Sequence, residues 1–295
     1  MADVAIADRD DVARAVDEAL GLLDLEDLVR DRVVVVKPND TWASPRDTTA
    51  VTQGDTLQAV LRYLKRLAPA RLVVSGGAGA AETSDVFEWS GMMAAVRAEG
   101  AEFRDHNRPP FRTVSLDYGP QREVVVNEQL TSVDTLVSLA QLKVHDLATV
   151  TLSMKNIAMS FPAADYYGHP RLRRLHAHRF FDDIHAFIVG MVRRFPIHLA
   201  VVVGHPAMVG RGPVGGRAVE TGLVIAGRDA VAVDAVGARV LGFQPSAVGH
   251  IARAADVGLG TSDTDRLRFR GRSLEEAASR FAQRVYGHEP PPAKP

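Results

Sequence analysis

The chain has 295 residues, 46% of them hydrophobic and 24% charged, with 35 basic against 36 acidic side chains. That length suits one large α/β domain or two modest ones, and the near-zero net charge excludes a global nucleic-acid footprint. There is no cysteine, which excludes disulfides, zinc–thiolate centres and cysteine-ligated iron–sulfur clusters.

The N-terminus, MADVAIADRDDVARA, lacks the basic-then-apolar layout of a signal peptide, and no apolar run is long enough to span a bilayer. The expectation is therefore a cytoplasmic protein with no membrane contact. Val12, Val16, Ala19, Leu20 and Leu23 recur at helical spacing and predict a helix over 10–24. Residues 33–36 are a β-branched run, hence a buried strand, leading into Lys37-Pro38-Asn39. Pro38 cannot donate to a ladder, so pairing is expected to stop there. A helix over 57–67 and a short strand over 72–74 follow, then the loop Ser75-Gly76-Gly77-Ala78-Gly79 and a helix over 83–99. Residues 100–133 are less regular, with a strand over 123–126, and are a candidate for a smaller lobe.

Residues 134–160, DTLVSLAQLKVHDLATVTLSMKNIAMS, form the stretch on which the rest leans. The apolar run over 136–142 reads as a buried strand delivering Lys143 and His145 to a sheet edge. The apolar run over 148–154 reads the same way, ending in Lys155 and Asn156 at a second strand end. Lysine is rarely buried without a partner, so these head groups either reach a solvated cleft or meet anions there. Surface lysines flanking two strands, with His145 a satisfied core histidine, are the plainer alternative. Downstream come a loop at 162–170, a long helix over 175–195, and an apolar strand over 199–203 ending in Gly204-His205-Pro206. The glycine-rich turn 210–216, a strand over 221–226, helices over 229–241, 247–257 and 274–285, and an unpacked tail over 289–295 complete the chain.

Strands alternating with helix-length segments predict an α/β fold with a mostly parallel sheet flanked by helices, a single domain over 1–288. In such sheets ligands bind outside the carboxyl ends of the strands. Lys37 and Asn39, Ser75 with Gly77 and Gly79, His145, and His205 each follow a predicted strand. The spacing therefore predicts one cleft lined by all of them. The glycine loop has the strand-to-helix context for an anion held on backbone N–H groups, although it lacks the dinucleotide and Walker fingerprints; an ordinary tight turn is the alternative. Arg211, in the second glycine-rich turn, is a candidate anion contact on a loop that otherwise reads as plain surface. His176, His178, Asp182 and His185 fall on one predicted helix, a weak divalent-metal signal that a solvated face explains as well.

The segment Lys143-Val144-His145, Thr149, Thr151 and Ser153-Met154-Lys155-Asn156 resembles the signature of the domain of unknown function 362 family. Lys37-Pro38-Asn39, Ser90-Gly91, Gly212-Pro213, the run Ala226-Gly227-Arg228-Asp229 through Asp234, and Gly258-Leu259-Gly260 are similar to its further motifs, over about residues 33–270. Many members carry a cysteine-ligated iron–sulfur module, which this chain cannot hold. Val203 and Val209 stand where many members place acidic residues, with His205 nearby as a substitute. A more distant similarity, to the nickel-pincer lactate racemases, rests on the ten-residue interval from His145 to Lys155. It implies acid–base work for His145; the surrounding motif differs too much to carry the covalent cofactor over to Lys155.

The expected function is an enzyme transferring a proton on a small anionic or enolisable carbonyl substrate, by epimerisation, isomerisation or cyclisation. His145 would move the proton, and Lys155 and Lys37 would stabilise negative charge. Asn39, Ser75, Gly77, Gly79, Lys143, Asn156, His205 and Arg211 are expected to contact substrate. No cofactor is identified, and a second copy of the chain is an open alternative as partner. A non-catalytic accessory protein and a metal-dependent oxidoreductase are the rival readings.

Overall fold

The computed structural model of the protein describes residues 1–167 and 181–287. The expectations placed on the predicted tail, on His176 and His178, and on the first part of the predicted helix over 175–195 lie outside the described residues. The strands are β1 (Asp3–Asp8), β2 (Val33–Pro38), β3 (Arg71–Gly76), β4 (Glu102–Asp105), β5 (Phe111–Ser115), β6 (Glu123–Asn127), β7 (Thr135–His145), β8 (Thr149–Val150), β9 (Leu199–Val209), β10 (Arg217–Val219), β11 (Leu223–Gly227) and β12 (Arg268–Gly271). The helices are α1 (Val12–Gly21), α2 (Glu26–Val29), α3 (Gly54–Arg66), α4 (Thr83–Trp89), α5 (Met92–Glu99), α6 (Leu152–Ala158), α7 (Ala164–Tyr167), α8 (Ile184–Arg194), α9 (Ala230–Val240), α10 (Gly249–Asp256) and α11 (Leu274–Tyr286).

The main sheet runs in the order β12-β1-β11-β9-β7-β2-β3-β4, with β10 paired to β9 and β8 to β7. β9, β7, β2, β3 and β4 are parallel neighbours, and β11 runs antiparallel to both β9 and β1. Period-2 alternation sorts the strand side chains onto two faces, because successive Cβ atoms point to opposite sides. Val35, Val73, Leu136, Ala140, Ala200 and Val202 pack on one face with α6, α8, α9 and α10. Val34, Val36, Val74, Val137, Leu139 and Val201 pack on the other with α1, α3 and α5. The hairpin β5–β6 forms a separate two-stranded sheet, yet Val114, Val124 and Val126 share the first core. Among the described residues no helix is long and apolar enough to cross a membrane.

Two connections decide where the chemistry lies. After β2 the chain moves to β3 on one side, whereas after β7 it moves to β9 on the other. The β2/β7 boundary is therefore a topological switch point, where loops diverge and leave a crevice. The second connection corrects the expectation of a strand ending at Lys155. β8 is only two residues long, and the chain then starts helix α6, which carries Lys155 and Asn156. Thr149 and Leu152 take positive φ, 66° and 46°, on either side of this turn. For a β-branched or bulky residue that conformation is strained by about 1–3 kcal/mol. Asp234 of α9 holds the turn in place. Its Oδ1 accepts from the Ser153 amide at 2.8 Å and the Ser153 hydroxyl at 2.5 Å, and its Oδ2 from the Met154 amide at 2.9 Å.

Replacing Asp234 by Ala strands those buried donors, so Asp234→Ala is expected to lower unfolding free energy by about 2–4 kcal/mol. Asp234→Asn keeps an acceptor and should cost less. Urea denaturation of both variants checks the order, and equal losses would show that the carboxylate does not cap α6.

Candidate functional site

A cleft of about 440 Å³ opens at the switch point, lined by residues following β2, β3 and β7 and by α6. Asn39, Asp40, Gly77, Gly79, His145, Thr151, Lys155 and Asn156 line it, and Asp146, Leu147, Pro213 and Val214 also reach it. Of the residues expected to meet there, Asn39, Gly77, Gly79, His145, Lys155 and Asn156 do. Lys37, Lys143 and Ser75 are buried and outside the lining, and Arg211 is exposed and outside it.

His205 lies elsewhere. β9 does not stop at Val203: it runs on to Val209, with a register irregularity opposite Gln141 and Lys143 that contains His205-Pro206. The Gln141 amide donates to the Pro206 and Thr49 carbonyls and fixes this irregularity. His205 then lines a second cleft, with Asp55 Oδ2 at 2.9 Å from Nε2 and Glu220 Oε2 at 2.6 Å from Nδ1. The two carboxylates, Asp55 first, raise its pKa.

Beneath the main cleft, polar groups saturate one another. The Lys37 ammonium donates to Asp40 Oδ1 at 2.7 Å and to the Pro38 carbonyl. Burial lowers its pKa, and Asp40 opposes that shift. Asp40 Oδ2 accepts from the Gly77 amide at 2.7 Å. Lys143 donates to Asn39 Oδ1 and to the Ala50 carbonyl, each at 2.7 Å. Burial, and then the charges of Lys155 and Lys37, hold its pKa well below the ordinary value. Asn156 donates to the Lys37 carbonyl and to Ser138 Oγ, each at 3.1 Å, and accepts from Asn39.

The glycine loop is a structural turn here, not an anion cradle. Gly77 N is spent on Asp40, Ala78 N on Thr83 Oγ1, and the Gly79 and Ala80 amides on the Thr41 carbonyl. Gly77 is required because a Cβ there would lie 1.8 Å from His106 Nε2. That buried imidazole joins Ser75 Oγ at 2.9 Å to Ser160 at 3.0 Å, and burial depresses its pKa to about 3, so it is neutral. Asp40, Thr151, Ser160 and His106 had no site role from sequence alone. Asp40, three residues from a buried lysine, carried a local signal, and Thr151 stood within the family-like segment.

Three further residues of the lining, His145, Thr151 and Lys155, differ from the saturated floor in what their polar atoms meet. His145 Nδ1 accepts from the Leu147 and Ala148 amides at 3.0 and 3.3 Å. Those donors put the neutral ring's hydrogen on Nε2, itself a buried atom. Thr151 Oγ1 is buried and has no hydrogen-bond partner among the described residues. Lys155 is 5% exposed, and among the described residues its ammonium has no hydrogen-bond or ion-pair partner; burial brings its pKa down to about 7. Asp146, exposed at the mouth, is a lining carboxylate whose oxygens, among the described residues, are not committed as those of Asp40 are.

A mostly parallel α/β sheet with a cleft at its strand carboxyl ends defines the class, and the sequence motifs on that edge define the family. The chain belongs to the family described as "Domain of unknown function (DUF362)", whose model matches residues 34–239. No curated protein matches the chain, and the similarity to lactate racemases finds no support in these comparisons. The residues present do not fit a cysteine-ligated iron–sulfur cluster, because the chain has no thiolate to bind one. Among the described residues no group of three or more His, Asp or Glu side chains converges as metal ligands.

The lysines should respond to substitution in opposite ways. Lys143→Met leaves Asn39 Oδ1 and the Ala50 carbonyl without their donor and is expected to cost about 2–4 kcal/mol of stability. Lys155→Met removes a desolvated amine and should cost nothing. Folded Lys155 loses its proton near pH 7, but the unfolded chain keeps it to about pH 10.4. Between those values the unfolded state binds more protons, so this group adds stability as pH rises and penalises the fold most below pH 7. Denaturation at about pH 7 and pH 9.5 should show wild type gaining stability relative to Lys155→Met. Parallel pH profiles would contradict an unpartnered buried amine.

Proposed function

We propose that the cleft binds a small anionic or enolisable carbonyl compound and moves a proton at the carbon beside its carbonyl group, as in epimerisation, isomerisation or cyclisation. Lys155 carries this reading: a buried amine facing a cleft, without a described partner and poised between amine and ammonium near neutral pH. Structural lysines have acceptors, as Lys37 and Lys143 do, and a lysine kept desolvated instead is a functional-site feature.

The roles differ from those expected from sequence alone. His145, with Nδ1 committed to two amides, donates from Nε2 to the carbonyl oxygen and does not take the proton. Lys155 polarises the same carbonyl and stabilises the charge that develops on it. Lys37 is left out of this reading, because its ammonium is paired with Asp40 beneath the cleft. The proton leaves the carbon towards Asp146 at the mouth, because both oxygens of Asp40 are already engaged. Thr151 Oγ1 has hydrogen-bonding capacity left for the ligand's carboxylate.

The test is solvent-deuterium exchange at the acidic carbon of a panel of small keto acids, followed by NMR. Wild type should accelerate exchange for at least one member, and Lys155→Met should lose ~10²–10³ of that rate while staying folded. Asp146→Asn should lower the rate with little change in stability, since the side chain is exposed. Binding of a keto acid without exchange would favour the accessory-protein reading, and unchanged exchange in Lys155→Met would remove Lys155 from the chemistry.

A further inference from the structure

We infer that Lys155 acts as a nucleophile and holds its ligand covalently, as a Schiff base with an aldehyde or keto carbonyl. This rests on the reading of the cleft as a carbonyl site and specifies how the carbonyl is held.

An amine that forms an imine must offer a lone pair, must be reachable by the ligand, and needs a donor for the oxygen it displaces. Lys155 lines the cleft and donates to no described acceptor, whereas the amines of Lys37 and Lys143 are tied to acceptors in the floor and lie outside the lining. Lys65 is exposed and bonded to the Glu99 carbonyl on α5. Burial suppresses the charge of Lys155, and Lys143 on β7 and His250 on α10 are its titratable neighbours. Asp40 and Asp234 are the buried carboxylates nearby, and each is already bound by other donors.

The step balances without an oxidant or reductant. The Nζ lone pair adds to the carbonyl carbon, and the carbonyl π pair moves to oxygen, which receives a hydrogen bond from His145 Nε2–H and a proton that Nζ releases. The carbinolamine then loses that oxygen as water, using the second Nζ hydrogen, and the C=N bond forms. Protonation of the imine makes it an electron sink for the neighbouring carbon, and the acidified C–H gives its proton to Asp146 or to solvent at the mouth. Binding through nitrogen accounts for an amine with no acceptor among the described residues: an acceptor at that point would hold the proton that must leave.

The experiment treats the protein at about pH 7 with pyruvate, glyoxylate or propionaldehyde in the presence of sodium cyanoborohydride, followed by intact mass and peptide mapping. The expected product is a single adduct, heavier by the mass of the probe less one oxygen atom, on Lys155 and at least roughly tenfold above any other lysine. Lys155→Arg should abolish it and leave the background on Lys65 unchanged. Deuterium exchange measured without reductant separates the outcomes. Exchange with no adduct overturns the Schiff base and leaves the proton-transfer reading standing. An adduct without exchange supports the Schiff base and overturns proton transfer, and adducts spread evenly over the lysines overturn the inference itself.

Discussion

Asp40 is the constraint on which the cleft depends. Lys37 is fully buried at the end of β2, and an ammonium in that position requires a counter-charge within reach. Asp40 supplies it with one oxygen and uses the other to hold the Gly77 amide, so a single carboxylate joins the carboxyl ends of β2 and β3. The neighbouring Asn39 does the same across the switch point, linking Lys143 of β7 to Asn156 of α6. Because these groups satisfy each other, the floor is rigid and chemically spent. The hydrogen-bonding capacity left over belongs to the walls, to Thr151 and Lys155 above all.

The parallel sheet was legible because β-branched runs such as 33–36 and 199–203 need both faces covered, and because polar residues clustered just after them. Most of the site followed from the same logic, as the ends of parallel strands fall on one edge. What failed was whatever depended on partners distant in sequence. The helix carrying Lys155 read as a strand because its start is set by strained φ at Thr149 and Leu152 and by Asp234, some eighty residues onward. His205 read as a cleft residue because an apolar run followed by Gly-His-Pro resembles a strand end. In the fold Gln141 and Thr221 hold that segment inside a longer strand. The strands β1, β4 and β12 were passed over, being short or, in β1, set in an acidic context.

The strained turn between β7 and α6 has a physical reason to persist. It must bring the chain from His145, on the sheet, to Lys155, on a helix over one face, within ten residues. Thr149 and Leu152 absorb the change of direction, Leu152 is fully buried, and its side chain fits against Gly237, where an added Cβ would come within 3.0 Å of it. Tight packing on α9 and the Asp234 cap together offset a local strain of a few kcal/mol. The result places an imidazole donor and an amine on the same cleft from two elements of different type.

A phosphate ligand suits this cleft poorly. Phosphate sites in α/β folds draw on glycine-loop amides and on a helix N-terminus. Here the loop amides are bound to Asp40, Thr83 and Thr41, and the first amides of α6 are bound to Asp234. Arg211, the side chain best suited to a bidentate phosphate contact, stands outside the cleft. Lys155, Thr151 and His145 stand beside apolar walls that include Leu147, Met159, Pro213 and Val214. A dianionic phosphate would lose more hydration in such a site than these donors return. A carbonyl group is a weakly solvated dipole, needs one or two donors, and can bond to the amine itself, so the cleft's few polar groups match its chemistry.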